Sequence, residues 1–135
     1  MKNVMLYFGS FNPIPKGHIA IAEYAVEHKL CDEVILIVSP QNPHKAAPEL
    51  AAELQRFEMA EIACSESRFP EQIKASAVEF ILDRPSYTVN TLRYLSENFG
   101  NEMRFSILMG GDLIRTLDTW REPQYILDNY PIYVY

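Results

Sequence analysis

Apolar residues along this chain fall into two alternating kinds of stretch. Residues 4–8 and 34–38 are continuous apolar runs of strand length, the pattern of strands buried on both faces. Between them, Ile19, Ala20, Ala22 and Ile21, Ala25, Val26 recur at three- and four-residue spacing, which predicts a helix over 18–28. A second helix is expected over 49–64, with Leu50, Leu54, Phe57, Met59 and Ile62 among its apolar positions. Residues 73–82 read as extended. Asp83-Arg84-Pro85-Ser86 breaks that run, and Ser86 or Thr88 is the candidate cap for a helix over 89–99. Residues 105–109 predict a buried strand ended by Gly110-Gly111-Asp112. A short helix, Trp120, a helix over about 122–127 and a strand over 132–135 follow. Strands alternating with helices predict α/β architecture: a Rossmann-like open parallel sheet with helices on both faces.

Length and composition narrow this picture. With 135 residues, 48% hydrophobic and 22% charged, the chain is expected to form one globular domain over 1–135. No apolar run approaches the roughly 20 residues that span a bilayer. Lys2 is followed by one strand-length apolar run and no small-residue cleavage site, so the cytoplasm is the expected compartment. Cys31 and Cys64 make no metal spacing and no disulfide framework, and both are expected to be reduced. The net charge of −6 argues against a nucleic-acid partner. It leaves a small phosphorylated ligand open, since that needs only a few local cations and backbone donors.

The candidate chemistry lies in the first strand-to-helix loop, Gly9-Ser10-Phe11-Asn12-Pro13-Ile14-Pro15-Lys16-Gly17-His18. In an open α/β sheet, ligands bind beyond the carboxyl ends of the strands, where a helix N-terminus presents free N–H groups. Gly9 and Gly17 permit close backbone approach. His18 stands at the expected helix start, and Lys16 adds a point charge.

This loop closely resembles the Gly-x-Phe-Asn-Pro-x-His-x-Gly-His signature of bacterial nicotinate-mononucleotide adenylyltransferases, within the superfamily marked by His-x-Gly-His or Thr-x-Gly-His. The resemblance continues in order along the chain. Pro40-Gln41-Asn42-Pro43-His44-Lys45 is similar to the family's proline-rich Pro-Lys loop, and Arg56 with Met59 to its Arg-x-x-Met. Pro85-Ser86-Tyr87-Thr88-Val89-Asn90-Thr91-Leu92 is similar to its Ser-Tyr-Thr-x-x-Thr-Leu segment. Gly110-Gly111-Asp112 and Trp120 are similar to its Gly-x-Asp and downstream Trp.

The resemblance implies transfer of adenylyl from ATP, with Mg2+, to a pyridine mononucleotide, giving a dinucleotide and pyrophosphate. The attacking phosphate is already ionised at neutral pH, so no protein nucleophile is implied, and no protein-held metal. It further implies that Gly9, Ser10, Phe11, Gly17 and Gly110 seat nucleotide phosphates and that His18, helped by Lys16, stabilises the transferring group. Asp112 would meet the ATP ribose or support the metal. Lys45 would contact a substrate phosphate; Ser86, Tyr87 and Thr88 would line the pyridine pocket, and Trp120 would stack on the ring. Duller readings stand beside these: Trp120 as core, Asp112 as a helix cap, Lys45 as a solvated charge, Tyr87 as packing. His28 and His44 read as surface residues, and Glu79 as structural in its expected strand. Arg121 either supplies a cation for a nicotinate carboxylate or faces solvent.

Two departures stand out. Pro15 occupies the position of the family's first histidine. Proline has neither a side-chain donor nor a backbone N–H, so a weakened enzyme is expected, or one whose donor comes from elsewhere, with Lys16 the nearest candidate. The family's later Ile-Ser-x-Ser/Thr-x-x-Arg segment has no counterpart here, so the chain reads as C-terminally incomplete or natively short. An uncovered sheet edge would favour a homo-oligomer. The alternatives are a non-catalytic nucleotide-binding module on the same fold, and a sister adenylyl- or cytidylyltransferase acting on another phosphate such as phosphopantetheine.

Overall fold

The computed structural model describes residues 1–11, 14, 16–40 and 47–135, with the main chain alone at 47–50. The elements follow in the order β1 (Lys2–Gly9), α1 (Lys16–Glu27), β2 (Glu33–Val38), α2 (Ala47–Ser65), β3 (Ile73–Ser76), α3 (Val78–Ile81), α4 (Thr88–Phe99), β4 (Met103–Met109), α5 (Gly111–Ile114), a 3-10 turn at Leu117–Thr119, α6 (Pro123–Asn129) and β5 (Ile132–Val134). The five strands form one parallel sheet in the order β3-β2-β1-β4-β5.

β1 is central, and its apolar run is continuous because both faces are covered. Its side chains alternate between two cores. Met5 and Tyr7 join Val34, Leu36 and the α1 residues Ala22 and Ala25 on one face. Val4, Leu6 and Phe8 join Ile107, Val89, Leu92 and Ile126 on the other, under α4 and α6. α1 and α4 thus lie on opposite faces, and the direction of winding reverses between β1 and β4. A crevice opens at the carboxyl end of two strands where the order reverses. Among the described residues, no helix is long and apolar enough to cross a membrane.

Two local expectations are corrected. The extended run expected over 73–82 ends at Ser76, and 78–81 is a helical turn. Ser76 Oγ accepts the Val78 N–H at 3.1 Å; the neighbours Glu79 and Phe80 are both buried, while Ile81 is exposed. Glu79 therefore sits in a helix, and its carboxylate accepts a 2.7 Å hydrogen bond from Thr91 Oγ1, which ties α3 to α4. Burial holds the Glu79 carboxyl above the usual carboxylate range. The second correction concerns the start of α4. Tyr87 is its N-cap, with no side-chain capping bond. Ser86 Oγ is instead buried and without a hydrogen-bond partner among the described residues, and Thr88 is the first helical residue.

Candidate functional site

The crevice between the ends of β1 and β4 is a cleft of about 530 Å³. It brings together six residues expected from sequence: Gly9, Ser10, Phe11 and His18 from the first loop, and Gly110 and Asp112 from the loop after β4. It adds Gly111, between the two expected residues of that loop, and Tyr7, Phe8, Leu113 and Tyr135, which the sequence did not mark as site residues. Two turns separated by about a hundred residues thus face one another across a single opening.

The first loop is set by close packing. A Cβ placed on Gly9 would lie 3.0 Å from the Phe11 ring, so any larger residue there would push that ring back from the strand end by a few tenths of an ångström. Phe11 has φ 49°, a left-handed backbone that costs a side-chain-bearing residue free energy and is typical of sites under constraint. A Cβ on Gly17 would meet no described atom within 4 Å, and Gly17 lies exposed outside the cleft lining. α1 begins at Lys16, two residues earlier than expected, and places His18 in its first turn. There the helix end favours an anion.

His18 is held edge-on by Tyr7 and Phe11, with ring centroids 5.5 and 5.7 Å away. Its Nδ1 is buried and has no hydrogen-bond partner among the described residues. Burial lowers its pKa below the ordinary 6.5, so the ring is neutral at pH 7 and offers one N–H donor. Because the unfolded chain takes up this proton more readily, the His18 contribution to stability is intact above pH 6.5 and declines as pH falls through the lowered value. An anion beside the ring favours the protonated form. The His18 titration followed by NMR is therefore expected below 6.5 in the free protein and at higher pH with pyrophosphate bound. A midpoint unmoved by pyrophosphate would separate His18 from the phosphate site.

Tyr7 and Tyr135 both line the cleft. Their hydroxyls lie 2.5 Å apart, and burial together with this contact pushes the Tyr7 phenol well up. The Gly111 N–H donates to the Tyr135 carbonyl at 2.8 Å. Gly110 caps α5, so Asp112 is not the cap. Its carboxylate is fully exposed and pairs with Arg115 Nη1 at 3.1 Å.

The remaining expected residues stand apart from this lining. Lys16 is exposed at the first position of α1. Tyr87 carries the Arg121 guanidinium over its ring, 4.7 Å from the centroid, and Arg121 itself is exposed to solvent. Trp120 packs partly buried against the core beneath α4 and α6, and its Nε1 donates to Thr116 Oγ1 at 3.1 Å. Pro15, His44 and Lys45 lie outside the described residues. Among the described residues no group of three or more His, Cys, Asp or Glu side chains is arranged to hold a metal ion.

A family model described as cytidylyltransferase-like matches residues 6–135. The chain belongs to this family of nucleotidyltransferases. Within it, the chain is similar to proteins named "Probable nicotinate-nucleotide adenylyltransferase". The one from Flavobacterium johnsoniae is 42% identical over 130 residues, covering 96% of this chain and 65% of that protein. The one from Christiangramia forsetii is 39% identical over 134 residues, covering 99% and 67%. The chain thus spans about two thirds of the length of these relatives. Among solved structures, Plasmodium falciparum nicotinic acid mononucleotide adenylyltransferase complexed with NaAD superposes with a TM-score of 0.77 at 20% identity, over 100% of this chain and 75% of that one. The same enzyme complexed with APC gives a TM-score of 0.75 at 18% identity, over 100% and 74%. At such identities the structures establish the shared fold.

Proposed function

We propose that the protein transfers the adenylyl group of ATP to nicotinate mononucleotide in the cytosol, forming the dinucleotide and pyrophosphate for NAD biosynthesis. The observation that carries this reading is the single cleft uniting Gly9, Ser10, Phe11 and His18 with Gly110 and Asp112 at the β1/β4 switch point. It is supported by relatives named for that activity over nearly the whole chain and by a fold neighbour complexed with NaAD.

The mononucleotide phosphate, already an anion, attacks the α-phosphorus of ATP. One P–O bond forms, the bond to the departing pyrophosphate breaks, and its electron pair leaves with the pyrophosphate oxygen. The loop's contribution is to hold the two anions in line and to place donors where charge develops. The neutral His18 ring donates its N–H to the transferring phosphoryl group, and the N-terminal end of α1 adds its positive potential. Magnesium, arriving with ATP, would screen the triphosphate charge, and the exposed Asp112 carboxylate is the cleft group suited to meet it or the ribose. Lys45 would hold a substrate phosphate. Ser86, Tyr87 and Thr88 with Trp120 would receive the pyridine ring.

The test is magnesium-dependent pyrophosphate release from ATP with nicotinate or nicotinamide mononucleotide, using the natural chain in full. Release that depends on a pyridine mononucleotide supports the reading. Tight nucleotide binding without release, in that chain and in its Pro15→His variant, would favour the binding-module alternative, which the sequence at Pro15 motivates.

A further inference from the structure

Beneath the first loop lies a buried cation with no assigned role. Arg56, in the middle of α2, is 7% exposed. Its Nη1 donates to the Ser10 carbonyl at 2.6 Å and to the Ser39 carbonyl at 3.1 Å. Ser10 follows β1 and Ser39 follows β2, so one guanidinium ties together the exits of two adjacent strands. The Ser39 N–H closes the same junction by donating to the Gly9 carbonyl at 2.9 Å. Glu53, one turn earlier on α2, is gripped by both terminal nitrogens of Arg84, at 2.9 and 2.7 Å.

Burying this cation carries a cost, offset in part by the nearby Glu53 carboxylate. Burial strips the Arg56 guanidinium of hydration and lowers its pKa, yet an arginine remains charged. Its Nη2 is buried with no hydrogen-bond partner among the described residues. A buried charge with an unsatisfied donor is costly. The geometry of the peptide unit shows what it achieves. In a planar trans peptide the carbonyl and the following N–H point in opposite directions. Drawing the Ser10 carbonyl down onto Arg56 therefore turns the Phe11 N–H away from α2. Phe11 is also the residue held at φ 49°, as expected of a loop kept in place by an external contact.

We propose that Arg56 is a positioning residue for phosphate binding: by anchoring the Ser10 carbonyl from below, it aims the Phe11 N–H at a phosphate of a nucleoside triphosphate held in the cleft. This rests on the nucleotide reading of the cleft for the identity of the ligand. Arg56 itself acts through the loop.

The test uses the natural full chain, with inorganic pyrophosphate and magnesium-ATP as probes. Binding is measured by calorimetry, and the Phe11 amide is followed by 15N NMR, in the native protein, Arg56→Met and Arg56→Lys. Arg56→Met is expected to weaken pyrophosphate binding about tenfold or more, in line with the strength of charge-assisted hydrogen bonds, and to abolish the Phe11 amide shift on pyrophosphate addition. Arg56→Lys keeps one charged donor and is expected to limit the loss to about threefold with part of the shift restored. A folded Arg56→Met with native affinity, or with a native Phe11 shift, overturns the inference. If Arg56→Met does not fold, Arg56→Lys carries the test, and native affinity there overturns it. Failure of the native chain to bind either probe also overturns it. If the native chain binds pyrophosphate but releases none from ATP with either pyridine mononucleotide, the adenylyl-transfer reading fails, and the Arg56 inference is still judged on the binding data.

Discussion

Pro15→His is expected to raise kcat for pyrophosphate release about 10²–10³-fold, the usual effect of one preorganised donor to a developing phosphoryl charge. Residue 15 precedes α1 by one position, and His18 stands in the first turn of that helix. A histidine at 15 would add a second imidazole to the same end of the loop. Proline offers no N–H of any kind there. The gain should fall on kcat, with the KM for ATP changing little, because the restored donor acts on charge present mainly in the transition state. Steady-state assays of the natural full chain and its variant make the comparison. A kcat unchanged by the substitution would mean that another donor already serves the loop. Lys16, exposed beside it, is then the candidate, and Lys16→Met should lose the activity that Pro15→His failed to add.

The largest expected effect on stability lies at Glu53 and Arg84. The two side chains are 4% and 5% exposed and meet through two parallel hydrogen bonds. Removing one partner leaves the other buried without its bidentate counterpart, which typically costs about 3–5 kcal/mol. Arg84→Leu should therefore lower the urea midpoint sharply with an unchanged slope. The double variant Glu53→Leu/Arg84→Leu should recover only part of the loss, since neither member of the pair is left buried alone while the buried Arg56 loses the nearby Glu53 carboxylate. A loss below about 1 kcal/mol in Arg84→Leu would show the pair behaving as a surface salt bridge. The pair also docks the segment leading to Ser86, Tyr87 and Thr88 onto α2; under the proposed reading, in which those residues receive the pyridine ring, the destabilised variant should show a raised KM for the mononucleotide in the temperature range where it remains folded.

The sequence made the sheet legible because its central strands are covered on both faces. Residues 4–8 and 34–38 are apolar at every position, and such runs have few other uses. It made α3 illegible for the opposite reason. Val78, Glu79, Phe80 and Ile81 mimic the end of a strand, yet the buried pair is Glu79 and Phe80 while Ile81 is exposed, and a turn this short shows no period. The expected cap at Ser86 failed because that hydroxyl points into the protein. Within the cleft, the glycines and His18 carried local signals, whereas Tyr7 did not. An aromatic residue inside a strand reads as core, and its partner Tyr135 is 128 positions away. The Arg56 motif was visible, but its role depends on two carbonyls, which no side-chain pattern reveals.

The strand order has a consequence for how the protein is made. Lys2 is registered against Met103, 101 positions later (103 − 2). Ribosomes add about 5–20 residues per second, so β1 waits roughly 5–20 s of synthesis before the strand that flanks it on the β4 side has been made. Throughout that interval the strand at the centre of the finished sheet is an open edge, and the cleft has only one of its two walls. Vectorial synthesis therefore makes the cleft a late product, complete only once β4, α5 and the residues through Tyr135 have been made.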